Sequence, residues 1–469
     1  MFKLLALSAL LLTADGTSAR TGERHVVMIL IDGLPAYLLD DPQASLPVIR
    51  GLVKEGVAAE AGMTVSDPSI TWPNQTTLVT GCHADKHGVL FNGLLKRRGP
   101  GELVEYFTSS TQKELVRVPL LFDVLKQAGH TSAAINWPCT RGSKSIDDNF
   151  PDVPGPLAHT TPRLKDELAR MGLLDRFKWG NDMVQDEIWT EATCHVIRDR
   201  MPRFLALHLN NVDTVHHRYG PKSAPGYAAA AANDANVARV LGALDDAGLR
   251  DRTTVFVVAD HGFIAAPKLL KPNAILRRNG LLKMEDDRVR SGRALAVAEG
   301  GTAMVYLTDP ARARADHETV VRLFRGAEGI AAVLEPKDYP RYHLPQPTDN
   351  SGMGDLVLAA KEGYSFSLDA RGDDLVVANE MSSTGAHGYL STEPKMNAIF
   401  VAAGAGIKRG YRLSTLDNID VAPTVARLLG VTLEHATGRV LEEILDVANA
   451  EATARATRVI ETGAIKQTK

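Results

Sequence analysis

Six acidic and imidazole side chains that could together bind metal are spread along the chain. They are Asp32, Asp213, His217, Asp260, His261 and His387. Taken one at a time, each has a structural alternative, such as a turn, a helix cap or a solvated helix face. Three carboxylates and three imidazoles together form the mixed oxygen and nitrogen ligand set that suits Zn²⁺. The residue types therefore predict a zinc-binding site.

A hydroxyl-rich stretch, SITWPNQTTLVTG at residues 69–81, offers candidates for a nucleophile. Pro73 fits the first turn of a helix, where its missing N–H is not needed, and Gly81 can end that helix. This reading places Thr71 or Trp72 at the N-cap. A threonine here is more often a plain cap than a nucleophile. Coordination to Zn²⁺ would activate a threonine hydroxyl, so the local pattern leaves both roles open.

The elements that must position these side chains read as strands alternating with helices. Three apolar runs end in aspartate: HVVMILIDG (25–33), RFLALHLNNVD (203–213) and TTVFVVADHG (253–262). NAIFVAAG (397–404) reads as a further strand. The alternation predicts an α/β protein with a mainly parallel sheet covered by helices on both faces. Sites in such sheets gather at the carboxyl ends of the strands, so the Asp and His residues are expected to converge there.

The chain divides into a core, an insertion and two terminal segments. The core is expected over 24–263 and 381–445. Residues 264–380 change pattern and suggest a smaller inserted α+β subdomain, and 446–469 reads as a terminal helix or tail. Residues 1–19 carry one lysine, a short apolar run and then small residues, which predicts a secretory signal peptide. A buried N-terminal element is the alternative.

Composition narrows the functional classes. The net charge is −3, which does not indicate a nucleic-acid partner or an anionic membrane surface. The N-terminal apolar run is too short to span a membrane, and no later run is long enough, so an exported protein without a membrane span is expected. Three cysteines, Cys82, Cys139 and Cys194, include no CxxC motif. Two of them could pair in an exported protein, and the pairing stays open.

Seven blocks of the sequence resemble the type I phosphodiesterase/nucleotide pyrophosphatase family of the alkaline phosphatase superfamily. In chain order they are ILIDGL, TWPNQTTLVTGCHADKHGVLFN, NWP, VDTVHHRYGP, VVADHGF, GAHGY and IDVAPTVARLLG, and they span roughly residues 26–430. The resemblance implies an alkaline-phosphatase-like three-layer αβα sandwich, with a mainly parallel sheet and a smaller α+β insertion.

The same resemblance implies two Zn²⁺ per chain. One ion would be held by Asp213, His217 and His387. The other would be held by Asp32, Asp260 and His261, with the Thr71 oxygen as a further ligand. Thr71 would be the nucleophile, and Asn92 would bind a phosphoryl oxygen of the substrate. The neighbouring His216 is set aside because His217 has the family's i, i+4 spacing from Asp213.

Two positions depart from the family pattern. Trp72 stands where phenylalanine is usual, and Cys139 follows NWP where glycine is usual. Either residue could reshape the substrate pocket, and Trp72 is predicted to contact substrate.

The function implied by the resemblance is that of a periplasmic or secreted zinc-dependent phosphodiesterase/nucleotide pyrophosphatase. It would hydrolyse a small phosphodiester or nucleotide through a phosphorylated Thr71. A phosphomonoesterase or a phospholipase C-like hydrolase of the same superfamily is the alternative, and a non-catalytic binding protein is a remote one. No arginine lies between Asp67 and Lys96 to neutralise the extra charge of a monoester, which favours diesters.

Overall fold

The computed structural model describes residues 23–178, 180–379 and 384–446, and its centre is an eight-stranded sheet. The strands of this sheet are numbered here in chain order: β1 His25–Ile31, β2 Val57–Ala59, β3 Ser132–Trp137, β4 Asp148–Pro151, β5 Phe204–Leu209, β6 Thr253–Val258, β7 Phe400–Gly404 and β8 Tyr411–Leu413. Their spatial order is β8-β2-β7-β6-β1-β5-β3-β4.

The sheet is mainly parallel, as predicted. All neighbouring strands pair in parallel except β7, which runs antiparallel to both β2 and β6. All seven residues of β1 are buried, which explains its continuous apolar sequence, because a central parallel strand is covered on both faces.

The three apolar runs that end in aspartate are neighbours in space. Strand β1 lies between β5 and β6, and Leu30 is paired with His208 of β5 and with Val258 of β6. Parallel neighbours end at the same edge of a sheet. The polar residues that follow these three strands therefore lie close together at one edge of the sheet.

The helices form two groups. The Ala224–Asp246 helix contacts the Asp182–Arg200 and Pro47–Glu55 helices, and the Thr71–Thr80 helix contacts the Val421–Leu429 helix. The other helices of the described residues are Ala84–His87, Gln112–Leu115, Leu121–Gln127, Pro162–Arg170, Leu173–Arg176, Asn211–Tyr219, Pro272–Arg278 and Ala313–Phe324.

The segment predicted as an insertion contains its own antiparallel sheet of four strands, in the spatial order Ala294–Ala298, Thr302–Leu307, Leu356–Ala360, Ile330–Leu334. Its buried side chains, such as Val305 and Leu358, belong to the same hydrophobic cluster as strand β1. The remaining short strands are Met63–Thr64, Leu94–Lys96, Glu105–Phe107, Ile264–Ala265, Lys268–Leu270, Leu282–Glu285, Arg288–Gly292, Tyr364–Phe366, Val376–Ala378, Gly385–Ala386 and Leu416–Asp417.

Two predictions concern the chain ends. The signal peptide at 1–19 and nearly all of the tail at 446–469 lie outside the described residues. Among the helices of the described ranges, none combines the length and apolar character needed to cross a bilayer.

Cys82, Cys139 and Cys194 are all buried and unpaired with one another.

Candidate active site

The first cluster of the site follows strands β1 and β6. Asp32, Asp260 and His261 are each 0–1% exposed, and each offers one ligand atom within 4.8 Å of the others. The Asp260 Oδ1 atom accepts hydrogen bonds from the backbone N–H groups of Gly33 and His261, both at 3.1 Å. Gly33 has φ +64°, and an added Cβ would lie 2.9 Å from the Phe263 ring, so glycine suits this turn.

The second cluster joins the helix after β5 to the segment before β7. His217 Nε2 lies 3.6 Å from Asp213 Oδ2, and His387 Nε2 lies 3.6 Å from Asp213 Oδ1. The i, i+4 spacing places Asp213 and His217 on one face of the Asn211–Tyr219 helix. Gly388 allows the close approach of the His387 loop, because a Cβ there would lie 1.8 Å from the carbonyl oxygen of Glu299.

His261 lies between the two clusters. Its ring stacks on that of His387, with ring centroids 3.7 Å apart and planes 9° from parallel. Ligand atoms of Asp213, His261 and His387 also fall within 4.8 Å of one another. The geometry thus brings the predicted ligands together while leaving His261 close to both sets, whereas the family resemblance implied that it belongs to one.

Two electrostatic conflicts mark the buried carboxyl and imidazole groups of the site. Burial and then the carboxylates of Asp260 and Asp213 raise the pKa of Asp32 well above its usual range. Burial and then the imidazoles of His261 and His217 hold the pKa of His387 well below its usual range. A divalent cation removes both conflicts, since it favours ionised carboxylates and neutral imidazoles.

Unpartnered ligand atoms give the same indication. Asp32 Oδ1, Asp213 Oδ1 and His261 Nε2 are buried and make no hydrogen bond within the described residues. Buried polar atoms normally have partners. The Nδ1 atoms of His261, His217 and His387 each face a backbone carbonyl oxygen at 3.1–3.3 Å, which favours the tautomer that leaves Nε2 as a lone-pair donor. These residues fit a metal ion.

Thr71 begins the helix rather than capping it. The N-cap is Ile70, in an extended conformation and without a side-chain cap, so the expected cap at Thr71 or Trp72 is wrong by one or two positions. Gly81 ends the helix with φ +69°, as predicted. Asn74 instead fixes the segment that leads into the helix, because its amide donates to the carbonyl oxygens of Ser66, Pro68 and Ile70.

Thr71 also differs from the other hydroxyl residues of the stretch. Thr76, Thr77 and Thr80 each donate to the carbonyl oxygen four residues earlier. Ser69 donates to the carbonyl oxygen of Tyr389. Among the described residues the Thr71 hydroxyl has no hydrogen-bond partner, although the residue is only 8% exposed. Four of the five hydroxyls are therefore structural, and the fifth is available for chemistry.

The residues around Thr71 connect it to both clusters. The carbonyl oxygen of Ser69 faces His387 Nδ1 at 3.3 Å. Gln75 lies one turn further along the helix, on the same face as Thr71, and its Nε2 donates to Asp260 Oδ2 at 2.9 Å. The residues two positions before and four positions after Thr71 thus contact one cluster each.

Asn92 meets the start of this helix. Its Oδ1 accepts the backbone N–H of Trp72 at 2.8 Å, and within the described residues its Nδ2 has no hydrogen-bond partner. A helix start normally offers several free backbone N–H groups. Fewer remain, because Trp72 N–H is taken, Pro73 has none and Asn74 N–H bonds to the Ile70 carbonyl. The Asn92 amide replaces part of that donor set.

Trp72 and Cys139 pack together beside the helix start. Trp72 is 5% exposed, its indole Nε1 donates to Asp152 Oδ2 at 3.2 Å, and its predicted contact with substrate stays a prediction. Cys139 has φ +57°, a conformation that favours glycine. Burial raises the pKa of its thiol to about 12, so this cysteine stays protonated.

The structure separates His216 from His217 and adds residues that the sequence reasoning missed. His216 is fully buried, and its Nδ1 lies 3.2 Å from the carbonyl oxygen of Gly33. Gln75 and His208 were not predicted, although both contact predicted metal ligands. A lone histidine within the apolar run FLALHL was the available signal for His208.

The fold and the carboxylate–imidazole clusters at its strand ends define the alkaline-phosphatase-like class of proteins. The sequence profile of the family described as type I phosphodiesterase / nucleotide pyrophosphatase matches residues 26–390. The chain therefore belongs to this family, which confirms the resemblance seen in its motifs.

Known proteins similar to the chain include members of the same family. Bis(5'-adenosyl)-triphosphatase enpp4 of Xenopus laevis is 24% identical, over 89% of this chain and 80% of that protein. Human ectonucleotide pyrophosphatase/phosphodiesterase family member 1 is 25% identical, over 87% of this chain and 40% of that protein. Murine ectonucleotide pyrophosphatase/phosphodiesterase 5, solved as an inactive form with AMP, superposes with a TM-score of 0.69 at 19% identity, over 90% of this chain and all of that one.

Proposed function

We propose that this protein is an exported, zinc-dependent phosphodiesterase/nucleotide pyrophosphatase that works through a phosphorylated Thr71. The observation that carries the proposal is that Ser69 and Gln75, which flank Thr71, each contact one of the two clusters, while the Thr71 hydroxyl has no hydrogen-bond partner among the described residues. Export is proposed from the N-terminal sequence pattern and places the enzyme in the periplasm or outside the cell.

Two Zn²⁺ would be held by the residues of the two clusters. Asp213, His217 and His387 would hold one ion, and Asp32, Asp260, His261 and the Thr71 oxygen would hold the other. Bound zinc would lower the pKa of the Thr71 hydroxyl and stabilise the charge on the phosphoryl group.

The chain's own residues would then carry out two displacements. The Thr71 oxygen attacks phosphorus, and the alcohol or nucleotide leaving group departs, so that Thr71 becomes esterified. Water then attacks the same phosphorus and releases Thr71. During both steps the Nδ2 amide of Asn92 would donate to a phosphoryl oxygen, because its Oδ1 is already fixed by the backbone N–H of Trp72.

The proposed substrates are small phosphodiesters and nucleotides with a phosphoanhydride bond. Support comes from the family and from the relatives whose names describe a bis(5'-adenosyl)-triphosphatase and an ectonucleotide pyrophosphatase. The murine structural neighbour was solved in complex with AMP.

The test combines metal analysis with the stereochemistry of the reaction. After mild purification, the protein should contain about two Zn²⁺ per chain and hydrolyse a chromogenic nucleotide diester. A substrate chiral at phosphorus should give net retention, because each in-line step inverts the configuration. Zinc near zero with no activity regained on adding Zn²⁺ would refute the metal dependence, and net inversion would refute the Thr71 intermediate.

A further inference from the structure

His208 is a buried histidine that lies beside a predicted metal ligand without belonging to the ligand set. It is located in strand β5, directly across from Leu30 of β1, and is 1% exposed. Its Nε2 atom lies 2.9 Å from Asp32 Oδ2. No other imidazole of the described residues makes a hydrogen bond to this carboxyl oxygen.

The opposite side of the imidazole is also fixed. His208 Nδ1 lies 2.8 Å from the carbonyl oxygen of Asn136 and 3.2 Å from its side-chain amide nitrogen. The same amide contacts the His208 carbonyl oxygen at 3.3 Å. Asn136 has φ +57°, at the point where the register between β3 and β4 shifts. This irregular backbone sets the carbonyl oxygen of Asn136 against the ring, so His208 is held from both sides.

The two carboxylate oxygens of Asp32 have different contacts. Oδ2 contacts His208, whereas Oδ1 makes no hydrogen bond to any part of the chain that the structure describes and lies 3.3 Å from His261 Nε2. A carboxylate on a flexible χ2 torsion would otherwise be free to rotate. With Oδ2 fixed, Oδ1 is presented to the first cluster in one orientation.

We propose that His208 is a positioning residue that fixes the orientation of Asp32 for zinc binding, because its imidazole is held between Asp32 Oδ2 and Asn136. The inference rests on the proposed function, because it concerns the affinity of one of the two zinc sites. Residues that orient a metal ligand from outside the ligand set typically contribute 10–100-fold to metal affinity.

The experiment measures zinc binding rather than turnover. Protein stripped with a chelator is titrated with Zn²⁺ in competition with a chromophoric chelator, which gives a dissociation constant for each site. His208→Phe should weaken one site by about 10–100-fold and leave the other close to wild type. His208→Gln keeps an amide that can donate to Asp32 and should recover part of the loss.

His25→Phe is the matched control. His25 is 8% exposed, starts the same central strand β1 at the end remote from the site, and bonds through Nδ1 to the carbonyl oxygen of Pro202 at 3.0 Å. It should lower stability without changing zinc affinity.

The outcomes separate this inference from the proposed function. Wild-type protein that binds two Zn²⁺ while a folded His208→Phe protein binds both with unchanged affinity would overturn the positioning role alone. Equal weakening of both sites in His208→Phe and in His25→Phe would show a general structural effect and overturn it too. If His208→Phe does not fold, His208→Gln takes its place. Weaker zinc binding at one site only, with a Tm close to wild type, would support the role, and wild-type affinity at both sites would overturn it. Wild-type protein without zinc would overturn the proposed function together with this inference.

Discussion

Thr71→Ala is expected to remove activity while leaving the fold almost unchanged. The substitution removes a buried methyl group, which costs about 1 kcal/mol. Within the described ranges the hydroxyl has no hydrogen bond to lose. Ile70 rather than Thr71 is the N-cap, so no capping energy is lost. Alanine is also the better helix former, by roughly 0.5 kcal/mol. The free energy of unfolding should therefore fall by about 1 kcal/mol or less.

The effect on catalysis should be several times larger. Loss of a nucleophile typically costs on the order of 10³-fold or more in kcat, which corresponds to about 4 kcal/mol of transition-state stabilisation. The assay is hydrolysis of a chromogenic nucleotide diester by zinc-loaded protein, with urea unfolding on the same samples. Thr71→Ser keeps a hydroxyl at the same position and should retain measurable turnover.

Thr80→Ala is the matched control on the same helix. Thr80 is fully buried, and its hydroxyl donates to the Thr76 carbonyl oxygen at 2.8 Å. Thr80→Ala should therefore lower the free energy of unfolding by about 1–2 kcal/mol. The kcat of this variant should stay within about twofold of wild type. A folded Thr71→Ala enzyme that works at a near-wild-type rate would refute the reasoning. It would mean that water attacks phosphorus directly and that Thr71 only begins a helix.

Three further predictions concern other parts of the molecule. His387→Ala should reduce activity by at least about 10–100-fold, because His387 contacts Asp213 of the second cluster. His216→Ala should mainly lower the Tm, because His216 contacts the carbonyl oxygen of Gly33 instead. The reverse ranking in kcat/KM would contradict this assignment. Cys139→Gly should lower the free energy of unfolding by at least about 1 kcal/mol less than Cys194→Gly, as measured by urea unfolding. The reason is that Cys139 has φ +57°, which favours glycine, whereas Cys194 lies within a helix, which glycine destabilises. Equal losses of stability would contradict this prediction. Burial raises the pKa of Asp67 to about 7, above its unfolded value of about 4, so its contribution to stability is present below about pH 4 and lost as the pH rises through 7. Asp67→Asn should flatten that part of the pH profile of unfolding, and an unchanged slope would exclude this carboxyl as its source.

Several elements of the fold could be predicted from local patterns. The seven residues of β1 are apolar because both faces of the central strand are covered, and the helix that begins at Thr71 ends at Gly81 because glycine readily adopts the left-handed conformation. The alternation of strands and helices indicated the mainly parallel sheet. The antiparallel direction of β7 was not predicted, because the direction of a strand depends on the path of the chain between strands and leaves no local pattern.

The sequence by itself determined which residue types were available for chemistry and that three of the apolar strands end beside them. Only the tertiary structure decided that β1 lies between β5 and β6, because strand order depends on pairing between segments distant in sequence. It also decided that the hydroxyl of Thr71 has no hydrogen-bond partner among the residues that the structure describes, since this depends on the carbonyl groups that each side chain can reach. The placement of His208 against Asp32 has the same origin: the two residues are 176 positions apart, and only the register of two parallel strands brings them together.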